Sequence, residues 1–182
     1  MHSYKIQTGR LTLKKIDESD AHHILRYRSA PSVYRYQHWK PRDINDVLGF
    51  IRTYSSSHNT KIGNWNQFGI FLNCSGQIIG DCGFRIFEPR QAEIGYTVDP
   101  AYQKKGYATE AMGSLIRFLY QSINVHRIIA RTDPLNIASQ KVATKLGFRQ
   151  EGHFRKSIRI GDEWKDDLLF ALLSEDWTHQ TS

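Results

Sequence analysis

The sequence predicts one mixed α/β domain, a central and mostly antiparallel sheet flanked by helices, with one β-α-β crossover. Three observations carry this. Between Gln67 and Val98 three alternating segments follow one another: QFGIFL, QIIGDCGFRIF and QAEIGYTV. The turn signals Asn73–Gly76 and Glu88–Arg90 separate them, which reads as an antiparallel meander. Pro100 then blocks continuation, and a helical pattern runs from about Tyr107 to Gln121. Its apolar set is Ala108, Ala111, Met112, Leu115, Ile116 and Leu119, a wide stripe that should face a sheet. HRIIART (His126–Thr132) follows as a short strand, so strand, helix and strand form one right-handed crossover.

The remaining elements follow in order. RLTLKKI (Arg10–Ile16) alternates and predicts the first strand. DESDAHHILRYRS carries Asp and Ser as cap candidates, with Ala21, Ile24, Leu25 and Arg28 at helical spacing, and Pro31 breaks it. Asp43 is placed to cap a second helix, DINDVLGFIRTY, with Val47, Leu48 and Ile51 on one face. After the crossover, NIASQKVATKLG reads as a helix closed by Gly147. FRQEGHF and DDLLFALL read as final strands, and DDLLFALL is apolar enough to serve as a sheet edge that pairs two copies into a homodimer.

Composition narrows the class. The 182 residues suit a single domain spanning 1–182, and 40% hydrophobic residues suffice for a sizeable core. The net charge of +7 fits nucleic acid, an anionic cofactor or an acidic surface. Lys and Arg are scattered rather than clustered, which disfavours nucleic acid. Cys74 and Cys82 form no C-x-x-C pair and read as buried free thiols of a reducing compartment. The N-terminus has no apolar h-region and no run approaches membrane-spanning length, so a soluble cytoplasmic protein is expected. The eight histidines include no H-x-x-x-H or H-x-H pair, and a metal site is not expected.

The chemistry concentrates in DPAYQKKGYATEA, Asp99 to Ala111. A helix N-terminus presents about four unpaired N–H groups and roughly half a positive charge. An anion there satisfies donors that otherwise need water. Gly106 lets the backbone approach closely or turn left-handed, and Ala108 keeps the next turn small. Gln103, Lys104 and Lys105 add donors and charge. Taken alone, these residues also fit an ordinary basic turn. The chain contains neither G-x-x-x-x-G-K-[ST] nor G-x-G-x-x-G, so the P-loop and dinucleotide fingerprints are excluded.

Three blocks together resemble the GCN5-related N-acetyltransferase superfamily, in its RimJ/RimL-like branch. They are TGRLTLKKIDESDA, AEIGYTVDPAYQKKGYATEA and HRIIARTDPLNIASQKVATKLGF. The family's Q/R-x-x-G-x-G/A motif reads here as Gln103-Lys104-Lys105-Gly106-Tyr107-Ala108. The resemblance implies a splayed sheet and acetyl-CoA as co-substrate. Gln103 to Thr109 would wrap the pyrophosphate with main-chain N–H groups. Thr97 and Val98 would hold the pantetheine arm by main chain where their strand splays from its neighbour. Asn136 and Ser139 match positions beside the pantetheine and the thioester sulfur. Asn136 equally fits a helix cap, with Ser139 in the first turn. Many members carry a tyrosine four residues before the glycine of the GF pair, as the acid for the departing thiolate. Here that position is Ala143, so the acid must be Ser139, another group or water. A thiol of pKa about 8.5, cysteine standing in for CoA, is a tolerable leaving group as thiolate.

The reaction implied is direct attack of an amine on the thioester. A lysine-type amine of pKa about 10.4 is ~0.04% neutral at pH 7, whereas an α-amine near 8 is ~10% neutral. An α-amine therefore needs far less help, and a carboxylate acting through water would suffice. Glu93 is the first candidate base, with an ion-pair or solvated role as its alternative. Glu110, also readable as a helix-stabilising charge, and Asp81 come after it. VYRYQHW brings Tyr34, Tyr36, His38 and Trp39 to the acceptor loop, where they either line an amine pocket or pack on one another. The acceptor is an amine: a peptide N-terminus or a small molecule. A non-catalytic acyl-CoA-binding or ribosome-associated module is the alternative, and the missing tyrosine is its main support.

Overall fold

The computed structural model describes residues 4–37, 39–54 and 61–178. Its strands are β1 (Ile6–Gln7), β2 (Leu11–Lys14), β3 (Trp65–Leu72), β4 (Ile78–Glu88), β5 (Gln91–Val98), β6 (Arg127–Thr132), β7 (Arg149–Ile160) and β8 (Glu163–Leu173). Its helices are α1 (Ala21–Arg28), α2 (Pro31–Tyr34), α3 (Ile44–Tyr54), α4 (Tyr107–Gln121), α5 (Ile137–Lys145) and α6 (Ser174–Thr178). One sheet takes all the strands in the order β1-β2-β3-β4-β5-β6-β8-β7. Among the described residues only β5 and β6 run parallel, joined by α4 as the crossover.

Local chemistry explains most boundaries. The Oδ1 of Asp43 accepts the N–H groups of Asn45 and Asp46 at 2.8 and 3.1 Å, and so caps α3. Pro31 does end α1, but it also opens α2 as its first residue, where a missing N–H costs no helical bond. Gly147 follows α5 at φ +86°. The N–H of Gly147 reaches Thr144 O at 3.0 Å and that of Phe148 reaches Ala143 O at 3.0 Å, which is a Schellman ending.

Two differences from the sequence reading concern the far end of the sheet. DDLLFALL is not an edge, because β8 lies between β6 and β7. The edge is β7, a largely exposed strand, so the route to a homodimer through DDLLFALL is withdrawn. The β7–β8 hairpin is also longer than FRQEGHF and DDLLFALL predict. Its outer half (Arg155, Lys156, Arg159) is polar, and a bulge between Phe154 and Ile158 interrupts its alternation.

The sheet is covered on both faces. α4 buries Ala111, Met112, Leu115, Ile116 and Leu119 against Leu11, Leu13, Phe68, Ile70, Phe84, Ile94 and Val98. On the other face α1 and α3 pack Ile24, Tyr27, Val47 and Ile51 against Ile16, Phe71 and Ile78. That second interface contains a charge. Asp81, fully buried on β4, accepts hydrogen bonds from Tyr27 Oη at 2.7 Å, Arg28 Nε at 3.0 Å, Arg28 Nη2 and Gln67 Nε2. Arg28 also lies over the stacked rings of Trp39 and Phe50. Cys82 is buried, and burial pushes its thiol pKa far up, whereas Cys74 lies exposed in the β3–β4 turn, contrary to the expectation of two buried thiols. Among the described residues no helix is long and apolar enough to cross a membrane.

Removing one half of a buried ion pair strands the other half away from water. Asp81→Ala should therefore lower stability by about 3 kcal/mol or more in urea unfolding. A loss below about 1 kcal/mol would mean that Arg28 finds water or another acceptor.

Candidate active site

The site begins where two strands part. β5 and β6 pair from Gln91–Arg127 to Ile94–Ala130 and no further, although β5 runs on to Val98 and β6 to Thr132. Beyond Ile94 a gap opens between them. Which backbone groups face it follows from the β4 register. Asp81 opposes Thr97, and the N–H of Asp99 reaches Ile79 O at 2.9 Å. Alternation then turns the N–H and C=O of Thr97 toward β4 and those of Tyr96 and Val98 toward the gap. Thr97 is thus corrected as a main-chain gap residue, and Tyr96 takes its place. Gly80 makes this close register possible: a Cβ there would lie 2.3 Å from Thr97 O.

The turn lies at the mouth of the gap. Asp99 ends β5 and its Oδ1 caps the following single turn of 3₁₀ helix through Ala101 N–H at 2.9 Å. Gln103 Nε2 returns to Val98 O at 2.9 Å, tying the turn to the end of β5. Lys104 and Gly106 both take left-handed backbones, φ +63° and +82°. Gly106 is the N-cap of α4 and offers no side-chain cap. The first helical bond runs from Glu110 N–H to Gly106 O at 3.0 Å, so the N–H groups of Tyr107, Ala108 and Thr109 have no acceptor within the helix. Four successive donors, from Gly106 to Thr109, are thus available at the helix start. Lys104 is exposed, whereas Lys105 Nζ turns back to Ala101 O at 3.1 Å and over the Tyr102 ring.

Two ion pairs fix this region from either side. Arg26 of α1 binds Asp99 at 2.8 Å. Arg10, just before β2, binds Glu110 at 2.6 Å. Thr8 Oγ1 and the Arg10 N–H add bonds to Glu110 at 2.6 and 2.9 Å. Burial alone would raise the pKa of Glu110, but these hydrogen bonds and the Arg10 charge outweigh it and leave the carboxyl below its ordinary value of 4.5. Glu110 is consumed in this clamp and is not a free base.

Across the gap stands the start of α5. Asn136 Oδ1 accepts Ser139 N–H at 3.2 Å, so Asn136 is a cap, and it stays next to Ser139 at the gap. The Tyr96 hydroxyl crosses from β5 to within 3.3 Å of Ser139 Oγ. Burial raises the pKa of Tyr96 above 10.0, so it remains a neutral donor at neutral pH. The sequence reading missed Tyr96. No local signal marks it, because where β5–β6 pairing ends is set by non-local register. Ala143, one turn after Ser139 on α5, is buried.

The opposite sheet face carries the carboxylates. Glu93 is gripped through one oxygen by Arg85 Nε and Nη2 at 2.8 and 2.6 Å, and Arg85 lies over the Trp65 ring. Trp65 Cη2 in turn sits 3.8 Å from where a Cβ on Gly95 would project. Asp81 is sealed under Tyr27 and Arg28 and is removed as a base candidate. Arg131 pairs with buried Asp167 at 2.7 Å beside Phe154. In the stretch from Val33 to Trp39, Tyr36 Oη donates to Leu135 O at 3.2 Å, which brings the segment after α2 to the loop that precedes Asn136. Lys40 sits over Tyr34, and Trp39 packs on Phe50. His38 lies outside the described residues.

A strand gap bounded by a left-handed glycine turn, on a sheet with one parallel pair, offers main-chain donors to an elongated anionic ligand. Residues 10–149 match the model of the acetyltransferase (GNAT) domain. The chain is 34% identical over 173 residues to the uncharacterized N-acetyltransferase YnaD of Bacillus subtilis, covering 94% of this chain and 98% of that protein. It is 28% identical over 186 residues to the ribosomal protein uS5-alanine N-acetyltransferase of Escherichia coli, covering 96% and 93%. A GNAT-family acetyltransferase of Bacillus anthracis superposes with a TM-score of 0.86 at 29% identity, covering 94% of this chain and 99% of that one. The chain belongs to the GNAT acetyltransferase family and is an N-acetyltransferase, similar to the RimJ/RimL-like ribosomal protein enzymes.

The lowered pKa of Glu110 sets a pH signature. Its contribution is present above the unfolded value of 4.5 and is lost as pH falls through the lower folded value. The thermal midpoint of Glu110→Gln should trail wild type at pH 7, and the two should converge as pH drops below about 4.5. A difference that persists unchanged into acid would mean that the Glu110 charge is not what stabilises the clamp.

Proposed function

We propose that the protein transfers the acetyl group of acetyl-CoA directly to a primary amine, with a protein N-terminal α-amine as the preferred acceptor. The observation that carries this is the end of β5–β6 pairing at Ile94–Ala130, on a strand whose far end, Val98, is tied by Gln103 to the turn that bears the free N–H groups of Gly106 to Thr109. The donor set fits an elongated anion: a cradle of main-chain N–H groups for a pyrophosphate, followed by unpaired strand groups for an amide-bearing arm. Acetyl-CoA supplies the acyl group as an activated thioester.

The chain's residues take the following roles. Gly106, Tyr107, Ala108 and Thr109 donate main-chain N–H groups to the pyrophosphate, and Lys104 and Lys105 add positive potential at the rim. Gln103 holds the turn against Val98. Tyr96 binds the arm by main chain and Val98 by its N–H, its carbonyl being held by Gln103, and Asn136 sits beside the arm. Ser139 gives its hydroxyl proton to the departing sulfur, with the Tyr96 hydroxyl behind it to replace that proton. Glu93, steered by Arg85, takes the amine proton through water, and Trp65 walls the approach. At pH 7 an α-amine is about two hundredfold more often neutral than a lysine amine, which suits a base that works through water. The E. coli relative is named for an alanine of a ribosomal protein, and this supports a peptide acceptor here.

Thiol release from acetyl-CoA against peptides with free α-amines, N-terminally blocked lysine peptides and small polyamines tests the reading. The expected result is a kcat/KM at least tenfold higher for the α-amine set. CoA binding without turnover on any amine would contradict it. Ser139→Ala and Tyr96→Phe should each lower kcat by about tenfold or more, as loss of a positioned proton donor does, with CoA affinity within about twofold of wild type. Wild-type kcat in both variants would assign the proton to water.

A further inference from the structure

Arg10 lies 95 residues before Lys105 in the sequence, yet its Nη1 donates to Lys105 O at 3.1 Å. The same side chain is held in place on its other sides. Its Nε binds Glu110 Oε2 at 2.6 Å, and the guanidinium lies 4.6 Å over the Tyr107 ring. Its Nη2 stands 3.4 Å from where a Cβ on Gly106 would project. Two consequences follow. A trans peptide is planar, so fixing the Lys105 carbonyl toward Arg10 sends the Gly106 N–H to the opposite side, into the mouth of the turn. Glycine adopts either hand with little preference, so without this hold the Lys105–Gly106 peptide has no fixed orientation. Second, Glu110 places a carboxylate in the first turn of α4, close to where an anion would bind. Arg10 cancels that charge.

We propose that Arg10 is the positioning residue of the pyrophosphate turn: it sets the Lys105–Gly106 peptide so that the N–H faces the anion, and it neutralises Glu110. This rests on the acetyl-CoA reading above and adds to it a residue outside the Gln103–Thr109 turn.

Calorimetric titration of CoA, with no acceptor and no turnover, tests it on wild type, Arg10→Ala and Arg10→Lys. Arg10→Ala should weaken CoA at least tenfold. Arg10→Lys restores the charge but cannot hold Glu110 and Lys105 O together as a planar fork does, so it should remain at least threefold weaker than wild type. Dephospho-CoA should lose affinity in the same proportion, because the defect is at the pyrophosphate. Wild-type affinity in Arg10→Ala overturns the inference alone. Wild-type affinity in Arg10→Lys overturns the peptide-setting role. A loss confined to CoA and absent with dephospho-CoA would move Arg10 to the 3′-phosphate and overturn the positioning role as well. A wild type that binds no CoA sinks the functional reading and this inference with it. Should Arg10→Ala fail to fold by thermal melting, the Lys variant with both ligands decides.

Discussion

The main-chain hydrogen bonds that β5 does not make govern this structure. Up to Ile94 the strand is paired on both sides; beyond it, β4 alone holds β5 and β6 has moved away. An unpaired strand edge inside a sheet is costly unless something pairs with it. The fold keeps this edge open by fastening β5 tightly to β4. Gly80 allows close approach, Asp99 continues the ladder to Ile79, and Gln103 caps Val98. The rigid side of the gap and its open side are therefore two consequences of one register.

The two sheet faces divide the remaining work. On the α4 face, Tyr96 leaves β5 to meet Ser139, so a half-buried phenol and a helix-start hydroxyl share one end of the gap. On the α1 face, Glu93, Arg85 and Trp65 form a layered group above Gly95. Even and odd residues of one strand thus address opposite sides of the same opening, which is what a strand's period of two supplies. The buried Asp81 cluster serves neither chemistry. It anchors α1, and with it Arg26 and the Trp39 region, against the sheet.

Much of this was legible in the sequence where the signals are local. The apolar stripe of Tyr107–Gln121 marked α4 at both ends, and Asp43, Asn136 and Gly147 announced their caps because capping involves only residues a few positions apart. Non-local pairing was not legible. The choice between Tyr96 and Thr97 for the gap depends on which β4 residue opposes each, and alternation alone does not supply that. DDLLFALL reads as apolar, but its neighbours on both sides come from β6 and β7. Glu110 looked like a helix charge and proved to be half of a clamp whose other half is Arg10, 100 residues earlier. Glu93 left two roles open at the sequence level, and the structure shows its ion pair with Arg85, one residue before β5–β6 pairing ends at Ile94.

The central claim is that the Ile94–Val98 edge and the Gly106 turn together hold one ligand. A crystal structure grown with CoA tests it most directly. The account predicts the pyrophosphate on the N–H groups of Gly106 to Thr109 and the pantetheine arm bonded to the main chain of Tyr96 and Val98 between β5 and β6. CoA bound elsewhere, or β5 and β6 paired through to Val98 with the turn empty, would contradict it.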